Sequence, residues 1–230
     1  MAFMEHHPID MNKIKTSQED LSHKFYRAQA FRECYKIANK ISYYFTASQM
    51  SKMEGMFSKD PDTKITTPWG VYCGADAAER CFLKDFPDLE DENRKSELKG
   101  RLVIDTFCSP VIEVAGDGKT ARGMWINPGI ETHVEDGQGK AYWSWKRIAA
   151  DFLNEKEEWK IWHLNILVCF NTPYKQDWAS SEKKIFAPSR NSSDHQVEKL
   201  YYYNSDAILP EELFDPPISY ETWQEIKTSF

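Results

Sequence analysis

The sequence predicts an α+β fold in which helices come first and an antiparallel sheet follows. Three observations carry this. Apolar residues recur at helical spacing from Leu21 to Phe57. The period drops to two after Leu102. Turn signatures at 115–119, 135–139 and 155–158 then cut the second half into long strands. No helical pattern separates those strands, which excludes a βαβ arrangement.

Residues 1–16 read as an N-terminal arm. Thr16 and Ser17 before Glu19 and Asp20 form a helix-start signal. Cys34, Ile37, Ala38, Ile41, Tyr44 and Phe45 lie on one face of a long helix over roughly 20–45. A shorter helix is expected at 48–57 and a third at 75–86, with an extended piece ending at Gly74 between them. Residues 87–99 are dense in charge and read as a solvated loop. The strands follow at 102–114, with a kink at Pro110, then at 120–134, 141–154 and 159–170. Residues 174–230 carry four prolines yet keep Trp178, Phe186, Phe214 and Trp223. That many rings do not suit a disordered tail, so an irregular extension wrapping the domain or a neighbouring subunit is expected.

Composition excludes several classes of function. Lys and Arg total 29 against 36 Asp and Glu, a net charge of −7. A nucleic-acid binder needs a basic face, so that class is set aside. The longest apolar run, Ile166–Phe170, is far short of a membrane span, and the start MAFMEHH has no secretory pattern; a cytoplasmic protein is expected. The five cysteines show no C-x-x-C spacing, so neither a disulfide framework nor a zinc ribbon is expected. There is no phosphate-cradling glycine loop and no G-x-S-x-G elbow. A metal site built from His133, His163 and Asp105 lacks any supporting spacing. Neither metal nor organic cofactor is expected.

Four segments resemble the SnoaL-like proteins of the nuclear-transport-factor-2-like superfamily: Tyr43–Phe57 (YYFTASQMSKMEGMF), Gly70–Phe82 (GVYCGADAAERCF), Ile112–Trp125 (IEVAGDGKTARGMW) and Glu158–Leu164 (EWKIWHL). The resemblance spans roughly 20–172 and implies a domain over 17–173. The implied fold is a cone, three N-terminal helices packed on a strongly curved antiparallel sheet with a pocket inside. The superfamily holds dehydratases, cyclases, isomerases, dioxygenase β-subunits and binding proteins, so fold does not fix function. Its dehydratases use an inward His with a nearby Asp and Tyr. Here the helix Tyr falls at Tyr43 or Tyr44. Thr46 and Ser48 stand where an acid is common, Asp105 stands where the first long strand often has His, and Asn127 or Gly129 stands where the next strand has an acid.

The candidate catalytic set is therefore His163, Asp105 and Tyr43, with Tyr44, Trp69, Trp125, Asn127, Trp143 and Asn165 around the substrate. Proton abstraction beside a carbonyl needs a base, an acid and an oxyanion partner away from water. His163 and Asn165 share a face in a regular strand; a one-residue slip would present Trp162 instead. His133 with Glu131, near a strand end, is a secondary pair. His23 is expected on the helix surface, and His6, His7 and His195 in solvent. The ring-rich composition, 14% aromatic, suits a flat apolar guest. The expected function is a cofactor-independent lyase or isomerase acting on a hydrophobic cyclic molecule; the alternative is a non-catalytic binding or assembly protein. A homodimer or homotrimer is expected.

Overall fold

The computed structural model describes residues 18–135, 137–179, 192–197, 203, 205–206, 208, 213–226 and 230. The arm, the cap signal at Thr16–Ser17, His6, His7 and Phe186 lie outside them. Helix α1 runs Gln18–Thr46. Ala30, Cys34, Ala38 and Ile41, at steps of four and three, form its buried stripe. The three small residues let the helix settle close to the sheet.

The other two helices differ from expectation. Helix α2 is the single turn Met50–Glu54, burying Met50 and Met53. The segment expected as a third N-terminal helix is a six-residue π-helical turn, Glu79–Lys84. Gly74, at φ +99°, and Pro87 bound the segment, and the chain between them winds only over 77–84. One long helix, not three, faces the sheet.

The strands are β1 (Lys64–Thr67), β2 (Gly70–Cys73), β3 (Leu102–Asp105), β4 (Cys108–Val114), β5 (Thr120–Glu135), β6 (Gln138–Glu155) and β7 (Glu158–Pro173). They form one curved, unclosed sheet in the order β2-β1-β7-β6-β5-β3, with β4 also on β5. The segment expected as one kinked strand is two strands, β3 and β4. The β4–β5 register shifts between Cys108 and Val111, around Ser109 at φ +49° and Pro110. β1 pairs parallel to β7, Lys64 opposite His163, a contact the hairpin signals do not announce.

Bulges in β7 decide what faces inward. Asp151 pairs with His163 while Phe152 pairs with Ile161, which leaves Trp162 as an extra residue. Trp145 pairs with Phe170 while Lys146 pairs with Val168, which leaves Cys169 extra. Each extra residue inverts the alternation beyond it. Ile161 is inward before the first bulge; Leu164 and Ile166 are inward after it.

Several of the described residues beyond β7 contact the sheet and its flanking segments. His195 bridges to Val71, and Arg80 binds Asp194. Tyr220 is buried, its hydroxyl 3.0 Å from that of Thr120. A last turn of helix, α3 (Trp223–Ile226), lays Trp223 on Trp162 and His163.

Candidate active site

Between α1 and the inner face of the sheet lies a cavity of about 420 Å³. That volume suits a drug-sized ligand. Its apolar wall is built by Phe45, Trp69, Phe82, Phe86, Ile148 and Leu164. Trp69 and Phe86 meet edge to face, as do Phe45 and Phe86. Its polar wall comes from β3, β5 and β6, which bring in Asp105, Glu131, His133 and Lys146.

These four side chains form a chain of contacts, with Lys146 and Glu131 buried and Asp105 and His133 half-buried. The Lys146 ammonium donates to both Asp105 carboxylate oxygens at 3.0 and 3.1 Å and to Glu131 Oε1 at 2.8 Å. Glu131 Oε2 lies 3.2 Å from His133 Nε2 and accepts from Asn171 Nδ2 at 3.4 Å. The register explains the meeting: Asp105 lies opposite Gly129, and Lys146 opposite Asn127 on the same face. Ser42 of α1 donates its hydroxyl to the Asp105 carbonyl, fixing the edge strand to the helix.

The electrostatics follow from burial and sharing. Burial pushes the Asp105 carboxyl above its ordinary value, because Lys146 offsets that effect only in part and Glu131 adds to it. Burial acts on Glu131 in the same direction, yet Lys146 and His133 outweigh it and hold that carboxyl well below the ordinary range. Lys146 is disfavoured by burial, but its two carboxylates hold the ammonium proton more tightly than in water. The site thus contains one carboxyl raised above its ordinary value and one held well below it. Such a separation of carboxyls is the usual setting for acid–base work. Among the described residues no three His, Cys, Asp or Glu side chains converge as metal ligands. The Lys146 ammonium occupies the space between the two carboxylates that a cation would take.

Gly129 makes this arrangement feasible. A Cβ there would lie 2.3 Å from Asp105 Oδ1 and 3.0 Å from the Ile104 carbonyl oxygen. We expect Gly129→Ala to displace the Asp105 carboxylate from Lys146 and to lower stability by about 1–3 kcal/mol. An unchanged urea midpoint for this variant would contradict the packing described.

Of the residues expected at the site, Asp105 and Trp69 line the cavity. His163 does not; the first bulge turns it to the outer face. Its Nδ1 is 2.9 Å from Asp151 Oδ2 and its Nε2 is 3.2 Å from the Asp62 carbonyl oxygen. Asp151 also accepts from Arg122 Nε at 2.8 Å, so this His anchors the outer face beneath Trp223. Asn165, opposite Ala149, follows His163 outward. Tyr43 is 75% exposed, on the side of α1 away from Ile41. Tyr44 packs partly buried against the core without lining the cavity. Trp125 is in the core between Phe107 and Phe152. Asn127 is buried beside it, donating to the Thr106 carbonyl at 3.2 Å. Trp143 is 43% exposed and stacks on Tyr174. Of the weaker candidates, His133 with Glu131 is on the cavity, while His23 contacts the Gly116 carbonyl at the far end of α1.

The residues missed are Lys146 and Arg101, and the sequence marks Gly129 only as lacking the strand's usual acid, not as the gap that admits Asp105. A signal for Lys146 existed. Ile148, Ala150 and Phe152 continue its face, whereas the face of Trp143 and Trp145 continues to Arg147 and Asp151. The apolar continuation was the inner one. The loop expected as solvated, 87–99, also contributes: Arg94, Glu97 and Lys99 stand at the cavity wall.

No protein-family model matches the sequence, and no curated protein matches it. Solved structures do. A scytalone dehydratase-like protein from Novosphingobium aromaticivorans superposes with a TM-score of 0.52 at 10% identity, covering 67% of this chain and 94% of that one. LinA superposes with a TM-score of 0.52 at 12% identity, covering 70% of this chain and 99% of that one. At these identities the likeness is one of fold alone: this chain shares the fold of those two structures, in keeping with the SnoaL-like fold that its sequence segments imply.

Proposed function

We propose that the protein is a cofactor-independent lyase or isomerase acting on a hydrophobic cyclic small molecule. One observation carries the reading: a largely buried Asp105–Lys146–Glu131–His133 chain faces an aromatic and aliphatic wall across the cavity. One of the two superposed structures bears the name of a small-molecule enzyme, a scytalone dehydratase.

In the elimination we envisage, the Asp105 carboxylate removes a proton from the carbon next to a carbonyl. The C–H electron pair becomes the new double bond, and the hydroxyl on the neighbouring carbon leaves as water with a proton supplied by His133. Glu131 orients His133, and Lys146 holds Asp105 in place. The apolar wall keeps bulk water from competing for these protons. In an isomerisation, the proton taken by Asp105 returns to a different carbon, and nothing leaves.

A panel of cyclic β-hydroxyketones, followed by the ultraviolet band of the conjugated product, tests this. Turnover of at least one member, absent in Asp105→Asn, is the expected result. Failure of every member to react, with binding to the cavity demonstrated, would leave the second reading, a binding or assembly protein. One observation favours that alternative: Trp143, Trp145, Tyr174 and Trp178 expose an aromatic strip on the outer face. We assign that strip to a homodimer or homotrimer contact, measurable by sedimentation. The five free cysteines fit the reducing cytoplasm in which we place the protein. Among the described residues no helix is long and apolar enough to cross a membrane.

A further inference from the structure

Arg101 is a half-buried cation of the cavity wall that the acid–base chain does not use. It follows Gly100, which turns the chain at φ +77° just before β3. Its guanidinium lies 5.5 Å from the Phe45 ring centre and 5.9 Å from that of Phe86. Nη1 donates to Ser48 Oγ at 2.8 Å. Ser48 is itself fixed, buried at φ +54° in the α1–α2 turn, with its carbonyl accepting from Leu89 N at 2.7 Å. The guanidinium is therefore held in place by a hydroxyl and two rings, on the cavity wall.

Its charge lacks a local counterpart. Among the described residues no carboxylate comes within ion-pair distance of Arg101, and the Ser48 hydroxyl is its one side-chain acceptor. Of the other cations on the wall, Lys99 is exposed to solvent, and Lys146 and Arg94 are engaged otherwise. Lys146 is taken by Asp105 and Glu131, and Arg94 by Glu97 and the carbonyls of Lys84 and Phe86. Burial works against the Arg101 charge, and the more distant Glu131 and Asp105 offset that only in part. A rigid, partly desolvated guanidinium with unused donors is suited to a planar anion, which it grips with two parallel hydrogen bonds. The flanking rings of Phe45 and Phe86 set the plane and bring apolar surface to the same place.

We infer that the cavity takes a ring compound bearing a carboxylate, with the carboxylate on Arg101 and the ring against Phe45, Trp69 and Phe86. This names the substrate class for the acid–base site and rests on that reading for the cyclic skeleton. It also orients the guest: the anion is drawn to Arg101, so the reacting carbons lie toward Asp105 and His133.

Isothermal titration with 2-naphthoate and its neutral isostere 2-naphthamide tests the inference without requiring turnover. The intact protein should bind the carboxylate about tenfold or more tightly than the amide, the effect of one charge-assisted contact. Arg101→Gln should erase that preference and leave the amide affinity within about twofold, a change too small to signal a lost contact. Retained amide binding shows that the cavity is still folded. Arg101→Lys should keep part of the preference, since the charge stays and the forked geometry goes. Equal affinities in the intact protein, a preference surviving in Arg101→Gln, or no binding of either compound would overturn the inference. A carboxylate preference in a protein that turns over no β-hydroxyketone would sink the lyase reading and leave this one standing.

Discussion

Lys146→Met should lower stability by about 3–5 kcal/mol, the largest effect expected of any single change in the site. The methionine nearly matches the lysine in length and leaves no void. What it removes is the ammonium between two carboxylates, each within 3.1 Å of it. Asp105 and Glu131 would then be like charges in a buried wall, and each would be driven to take up a proton.

The pH dependence should invert as a result. In the intact protein the Glu131 carboxyl is depressed, so its contribution is present above its ordinary value of 4.5 and is lost as pH falls below it. Lys146 is raised, so its contribution is complete below 10.5 and is lost as pH climbs beyond. In Lys146→Met, acidification relieves the repulsion, and stability should rise as pH drops from neutrality. Adding Asp105→Asn to Lys146→Met should restore part of the loss, a coupling that chemical denaturation of the double-mutant cycle measures. Additive effects would show that the three charges do not act together.

Asp105→Asn alone should reduce turnover by about 10²–10⁴-fold, the usual contribution of a positioned acid–base group. It should leave the fold intact. The Asp105 carboxyl sits above its ordinary 3.8, which means that the folded protein disfavours its charge. At pH values above that raised value, removing the charge retains or gains stability, while Lys146 keeps its bond to Glu131. A urea midpoint for Asp105→Asn no lower than that of the intact protein would separate its loss of activity from unfolding. A second signature separates a reacting carboxylate from a merely structural one. The rising limb of kcat with pH should lie above the range of a solvent-exposed carboxylate, and it should vanish in the variant. A limb that survives unchanged would transfer the role of base to His133.

Much of the fold was legible because its signals are local. Gly116 and Gly118 turn β4 into β5, the Glu135–Gly139 segment turns β5 into β6, and Lys156 and Glu157, both at positive φ, turn β6 into β7. Each turn is written in a few adjacent residues. The site was less legible because its geometry depends on where strands lose phase. Alternation along β7 assigns His163 and Asn165 to the same face as Ile161, and one extra residue at Trp162 undoes that assignment. No local chemistry marks the bulge; it comes from matching two long strands on a curved sheet. Tyr43 is the opposite case. It lies two residues beyond Ile41, about 200° around the helix, so the periodicity that found α1 already placed it outside. Asp105 was found through the resemblance, at the place where the first long strand often has His, although the sequence alone did not show that Lys146 pairs with it.

The parallel pairing of β1 with β7 also governs how the chain reaches this structure. β5, β6 and β7 join through short turns and can assemble by zipping from each hairpin. β1 must dock along β7 with Lys64 opposite His163, after all the intervening chain has been synthesised and placed. Such non-local contacts carry a loop-closure penalty before they give any return, so they belong to the late part of folding. Ile65, fully buried in β1, and Trp69 just after it enter the core only then. The sheet should therefore exist before the cavity does, and binding competence should lag behind secondary structure during refolding.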